Sequence, residues 1–151
     1  MVYTVGEMAK KLGVAPSTLR YYDKERLLPF VARSKSGIRV FQERDLEWLR
    51  IIGCLKKTGM ALKDIRCFVE MAMQGDTTVA PRLALIVKQR QAVQHKIAEL
   101  QETLAVLEYK EWYYQTAQAA GTTRVPREMP DSELPPQLCA VRKQLKGEQE
   151  Q

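Results

Sequence analysis

Thr4-Val5-Gly6-Glu7-Met8-Ala9-Lys10-Lys11-Leu12-Gly13-Val14-Ala15-Pro16-Ser17-Thr18-Leu19-Arg20-Tyr21-Tyr22 is the stretch on which the reading of this chain turns. Apolar residues at Val5, Met8, Ala9 and Leu12 recur at helical spacing. Gly13 then stops the helix where a positive φ costs little without a Cβ. Pro16 suits the first turn of a second helix, which does not need its missing N–H, and that helix is predicted to reach about Glu25. Together they read as a helix-turn-helix. Ala9 is small where the helices cross, and Met8, Leu12, Val14, Leu19 and Tyr22 fill the wedge between them. Outward, the second helix presents Ser17, Thr18, Arg20, Tyr21 and Lys24. Hydroxyls at a helix N-terminus donate to phosphate, and the helix dipole favours an anion there. Arg20 can take a phosphate or a guanine edge.

Immediately downstream, Leu27, Leu28, Phe30 and Val31, then Ile38, Val40 and Phe41, flank the polar run Arg33-Ser34-Lys35-Ser36-Gly37. Two short strands around a turn are predicted. They would carry Arg33, Lys35 and Arg39 as a basic wing. Charge is concentrated in the same place: residues 1–44 hold nine basic and four acidic side chains, whereas the whole 151-residue chain has a net charge of only +6. A localised excess of this kind fits a phosphate-binding surface.

Further along, helices are predicted over about 43–58, closed by Gly59, and over 62–74, closed by Gly75. Residues 77–119 then form one long helical segment. Leu83, Ile86, Arg90, Val93, Ile97, Leu100, Leu104, Leu107, Glu111 and Tyr114 follow a 3–4 alternation in which only Arg90 and Glu111 are charged. So sustained a stripe argues for a coiled coil. At 1.5 Å per residue the helix would be about 60 Å long, too long to bury its stripe on a small head, so a second copy is the simplest partner. Residues 122–151 contain Pro126, Pro130, Pro135 and Pro136 and few apolar groups, and read as a loosely ordered tail. If part of it orders, Leu134 and Leu138 are the residues expected to dock. The expected organisation is a winged helix-turn-helix domain at 1–75, a coiled-coil dimerisation helix at 76–121 and a flexible tail at 122–151. The fold class is mainly α with a small β-hairpin.

The runs Thr4–Ala9, Thr18-Leu19-Arg20-Tyr21-Tyr22-Asp23-Lys24-Glu25, Leu27-Leu28-Pro29-Phe30 and Arg33–Phe41 resemble the MerR family of bacterial transcription regulators. So do Asp45-Leu46-Glu47 and Leu55-Lys56-Lys57-Thr58-Gly59-Met60. The resemblance covers residues 2–75 by motif and 77–120 by architecture. It implies a homodimer joined by an antiparallel coiled coil on a pseudo-palindromic promoter. Such a dimer would bend and untwist the spacer so that RNA polymerase engages both promoter elements. Matching positions imply DNA contacts from Ser17, Thr18, Arg20, Tyr21 and Tyr22, from Arg33, Gly37 and Arg39 on the wing, and from Lys56 or Lys57. Tyr22 has a competing place in the core. Two positions depart from the family pattern: Arg26 stands where Gly is usual, and Ile38 where many members have Tyr. Dimer contacts are implied for Leu83, Ile86, Val93, Ile97, Leu100, Leu104, Leu107 and Tyr114.

An enzyme is disfavoured, because one histidine and no nucleophile–base constellation leave little to catalyse with. Neither a cofactor nor a metal is called for. The residues after the long helix, Gly121–Val125, lack the cysteine pair of the metal-sensing members. His95 stands alone and reads as solvated. The sequence has neither a membrane-spanning apolar run nor a signal-peptide pattern. Three cysteines at 54, 67 and 139 make no disulfide framework, which points to a reducing cytoplasm.

Trp48–Met60 further resembles the aldehyde-responsive AdhR/NmlR-like branch of the family, and that resemblance implies Cys54 as the sensor of an aldehyde, electrophile or oxidant. Arg50, Lys56 and Lys57 would favour its thiolate, while the nearby helix C-terminus opposes it. Cys67 reads as packing, with a second reading as a resolving thiol. Two other functions remain open. One is a reversible ligand bound near Trp48, Phe68, Trp112, Tyr113 and Tyr114. The other is a coiled-coil adaptor whose basic head meets an acidic protein.

Overall fold

The structure, a computed structural model, describes residues 1–149. It divides into two compact units, Met1–Val93 and the residues from Gln94 onward.

In the first unit, Thr4 caps α1 (Val5–Leu12). Its hydroxyl accepts the Glu7 N–H at 3.3 Å, while the Glu7 carboxylate accepts the Thr4 N–H at 2.8 Å. This reciprocal cap satisfies two N–H groups that the helix start leaves open, and the Thr4 hydrogen bonds hold the Glu7 carboxyl below its ordinary range. At the other end Gly13, at φ 71°, turns the chain, with the Val14 N–H donating to Ala9 O and the Gly13 N–H to Lys10 O. α2 (Pro16–Lys24) closes in the same pattern. Leu27 N–H donates to Tyr22 O at 2.9 Å and Arg26 N–H to Asp23 O at 3.0 Å. Here the left-handed residue is Arg26, at φ 57°, the only non-glycine with positive φ among the described residues. The departure from glycine at this position therefore leaves the helix ending unchanged and loads its cost onto the backbone.

The sheet has three strands where the sequence predicts two: β1 (Val2–Tyr3) ahead of α1, then β2 (Ala32–Arg33) and β3 (Arg39–Gln42) after α2, antiparallel in the order β1-β3-β2. β1 pairs Val2 with Gln42 and Tyr3 with Phe41, and β2 pairs Ala32 with Val40 and Arg33 with Arg39. A two-residue strand has no periodicity to read, so β1 was invisible in the sequence. Asp45 then opens α3 (Asp45–Lys57). Its carboxylate is buried and accepts the Gln42 N–H at 2.8 Å, fixing the turn from sheet to helix. α4 (Leu62–Met73) lies against α3. Met8, Ala9, Leu19, Leu27, Phe41, Leu49, Ile52 and Ile65 are almost wholly buried. Each large side chain among them contributes about 1.5–3 kcal/mol by burial. Ala9 has no exposed surface, as a close helix crossing requires.

A 3-10 turn at Asp76–Thr78 leads into α5 (Val79–Ala120), one unbroken helix of 42 residues. Within the first unit, Gln89 Nε2 donates to Thr58 O at 2.7 Å. The apolar stripe lies open: Leu83, Ile86, Ile97, Leu100, Leu104, Leu107 and Tyr114 are all exposed, while Val93 is half-buried.

The second unit corrects the expectation of a loose tail. After Gly121 the chain forms α6 (Arg124–Glu128), a 3-10 turn at Asp131–Glu133, and α7 (Pro136–Gln149). Leu134 and Leu138 are buried, as are Pro126 and Ala117. The prolines that suggested disorder stand at helix starts and in turns, where a missing N–H is tolerated. Arg142, 5% exposed, donates to Met129 O at 2.7 Å and Arg127 O at 2.9 Å and so pins the connection.

Candidate nucleic-acid interface

α2 begins at Pro16 with no side-chain cap on its N-terminal N–H groups, and Ser17 is exposed beside them with Thr18 half-buried. The positive end of the helix dipole and two hydroxyls at a helix start suit a phosphate oxygen. Arg20 is exposed one turn on, and Tyr21 is partly so. Tyr22 is different. Only 6% of it is exposed, its ring belongs to the core, and burial pushes its phenol above its ordinary value. It is therefore assigned to the core and not to the surface reading, because the wedge between α1 and α2 needs a large side chain there.

The wing is tied to α2 through one carboxylate. Arg39 Nε lies 2.7 Å from Asp23 Oδ1, and an Arg33 terminal nitrogen lies 3.3 Å from both Asp23 oxygens. Each arginine also grips the wing backbone, Arg39 donating to Val31 O at 2.6 Å and Arg33 to Gly37 O at 2.8 Å. Gly37, at φ 82°, donates to Ser34 O, and the Ser34 hydroxyl accepts the Ile38 N–H at 3.1 Å. Lys35, Ser36 and Ile38 are left exposed around the turn. Arg33 is half free, but Arg39 is mostly committed, its side chain 18% exposed. The role of Asp23 is not legible in the sequence. Its i+10 and i+16 spacing to the two arginines crosses the helix-to-wing connection and matches no local pattern.

At the end of α3, Lys56 Nζ sits 4.4 Å from the Tyr21 ring centre and 5.4 Å from that of Tyr22, and Lys57 is exposed. The cation–π contacts link α3 to α2. Near the sheet, Glu43 accepts the Tyr3 hydroxyl at 2.6 Å and Lys11 Nζ at 3.2 Å. The Tyr3 bond, then Lys11, hold its carboxyl below the ordinary range, and the same pairing raises Lys11.

Cys54 is exposed on α3 and lines an open cavity of about 290 Å³ with Leu12, Val14, Tyr22, Arg50 and Lys57. Cys67 is exposed on α4, which corrects its reading as a packing residue. His95 is exposed and pairs with Glu99 at 3.2 Å one turn on. Trp48 stacks on Phe30 at 5.5 Å, and Phe68 packs on the core of the first unit. Trp112 and Tyr113 gather around Tyr109 in the second unit. Among the described residues no helix is long and apolar enough to cross a membrane.

A winged helix-turn-helix with a basic, hydroxyl-bearing second helix defines a DNA-binding protein, and comparison with known proteins gives the family. Residues 3–71 match the MerR HTH family regulatory protein family, and residues 46–109 match the family MerR, DNA binding. An uncharacterized HTH-type transcriptional regulator of Haemophilus influenzae is 48% identical over 124 residues, 82% of this chain and 92% of that protein. HTH-type transcriptional regulator AdhR of Bacillus subtilis is 33% identical, covering 58% of this chain and 62% of its own length. Among solved structures, HiNmlR, a MerR family regulator lacking the sensor domain, was crystallised bound to promoter DNA. It shares 46% identity, with a TM-score of 0.66 over 86% of this chain and 98% of that one. The chain belongs to the MerR family of DNA-binding transcription regulators, which are not enzymes.

Proposed function

We propose that this protein binds promoter DNA as a homodimer and activates transcription by distorting the promoter spacer for RNA polymerase, in response to an aldehyde or other electrophile that reacts with Cys54. Promoter binding is supported by the DNA-bound structure of HiNmlR at 46% identity. The dimer is supported by the open stripe of α5, where Leu100 is 68% and Leu104 53% exposed. So long an apolar row in water calls for a facing helix. A DNA-bound regulator of this kind works in the cytoplasm.

The observation that carries the signal reading is the position of Cys54. Its thiol opens into the same cavity as Tyr22 of α2. Addition of the sulfur to an aldehyde carbon forms a C–S bond. The carbonyl pair moves to oxygen, which Arg50 and Lys57 can stabilise, and the thiol proton completes the hydroxyl. An adduct there fills part of the cavity that Tyr22 lines, which couples it to the ring that sets α2 against α1. Lys56, two residues on, lies over the Tyr21 and Tyr22 rings and gives a second route to α2.

The test is a promoter reporter with wild-type protein and Cys54→Ser, challenged with formaldehyde and with methylglyoxal, beside intact-protein mass spectrometry. Loss of induction with DNA affinity retained is the expected result. Full induction in Cys54→Ser would remove the assignment of the sensor while leaving the DNA-binding reading intact.

A further inference from the structure

Three helices of the second unit converge on a cavity of about 230 Å³. α5 contributes Tyr109, Lys110 and Tyr113, α6 contributes Arg127, and α7 contributes Arg142 and Lys146. Four cations and no carboxylate line it. Arg142 is fixed in place: two of its N–H donors are taken by the Arg127 and Met129 carbonyls, and Asp131 lies 3.6 Å from it. Arg127 reaches Glu128 only at 3.9 Å. Among the described residues no ion pair involves Lys110. The tyrosine rings, 6.3 Å apart between centroids and inclined at 46°, form an aromatic wall. Burial raises the Tyr109 phenol, so it stays a neutral hydrogen-bond donor.

Like charges gathered at one concave site repel one another unless an anion joins them. Arg142 is one of the few charged side chains the fold buries, and its partners are two backbone carbonyls and, at 3.6 Å, the Asp131 carboxylate. Charge-assisted bonds from several directions, an aromatic wall and a restricted volume together describe a small-molecule pocket. We infer that the cavity between α5, α6 and α7 binds a small organic anion, a carboxylate or phosphate carried on a flat body that lies against Tyr109 and Tyr113. Its residues are distinct from those around Cys54, so it constitutes a second input to the protein whatever Cys54 does.

Calorimetric titration of the full-length protein with benzoate, with phenyl phosphate and with neutral benzamide tests this. At least one anion should saturate, benzamide should not, and the two anions together distinguish carboxylate from phosphate as the recognised group. The double variant Lys110→Gln/Lys146→Gln changes two exposed side chains, so its thermal midpoint should match the wild type. Its affinity for the binding anion should fall about tenfold or more. No saturation by either anion up to about 10 mM, or equal affinity in the double variant, overturns the inference.

Discussion

Asp23 and Arg39, sixteen residues apart, meet at 2.6 Å between a guanidinium nitrogen and Oδ1, and this contact fixes the wing to the second helix of the DNA-binding head. Arg33 joins the same carboxylate. An acidic side chain on a helix proposed to face DNA would be expected to weaken DNA binding. Here it acts as the anchor that lets two arginines hold the wing in shape.

The two views of Asp23 predict opposite results. Asp23→Asn removes a negative charge from α2 and, on charge alone, would tighten binding. As the anchor of the wing, its loss should weaken operator affinity and lower stability by about 1 kcal/mol, the pair being partly exposed. Fluorescence anisotropy with operator DNA at fixed salt, beside urea unfolding, checks both.

Arg20→Ala should weaken operator binding and reduce the slope of log affinity against log salt by about one, the signature of one lost phosphate contact. If Arg20 instead reads a guanine edge, specificity falls while the slope holds. Anisotropy across a salt series, on operator and on unrelated DNA, separates these outcomes.

Arg26→Gly should stabilise the protein by roughly 0.5–1 kcal/mol, because glycine occupies φ 57° without the clash that any Cβ brings. A higher midpoint in urea with an unchanged slope is the expected reading. Arg26→Ala should not reproduce it.

Leu100→Lys combined with Leu104→Lys should yield a monomer by analytical ultracentrifugation, with the head still folded by circular dichroism and operator binding lost. Persistence of the dimer would place its interface elsewhere than on this stripe.

Glu7 and Glu43 both have carboxyls held below their ordinary range. A folded-state pKa below the unfolded one contributes stability that is full above the unfolded value and disappears as pH falls through the folded one. Acidification from neutral to about pH 3 should therefore destabilise the head. Glu7→Gln and Glu43→Gln should each flatten that dependence in urea unfolding followed across pH.

The helix-turn-helix was legible because its signals are local: Gly13 and Pro16 mark the turn, and Met8, Leu12 and Leu19 mark the buried faces. The long helix was equally plain, its stripe repeating too often to be chance. β1 is not legible because two residues carry no alternation, and its existence depends on Phe41 and Gln42 across the sheet. The terminal helices are not legible because four prolines and few apolar residues look the same in a loose tail as in short helices whose prolines stand in first turns and connections. At the interface, residue types were readable while their commitments were not. Arg39 reads as a free cation until Asp23 is seen to hold it, and Tyr22 reads both as wedge filler and as a DNA contact until its burial places the ring in the core.

Arg26 gives the strained turn after α2 one further meaning. Glycine there would make the fold easier and would leave the head one positive charge poorer. The chain keeps a side chain in a conformation that side chains avoid and gains an exposed cation where the second helix turns toward the wing. Position 26 is thus a point of exchange between folding and long-range attraction for a polyanion. Relaxing it would yield a sturdier protein that finds DNA more slowly.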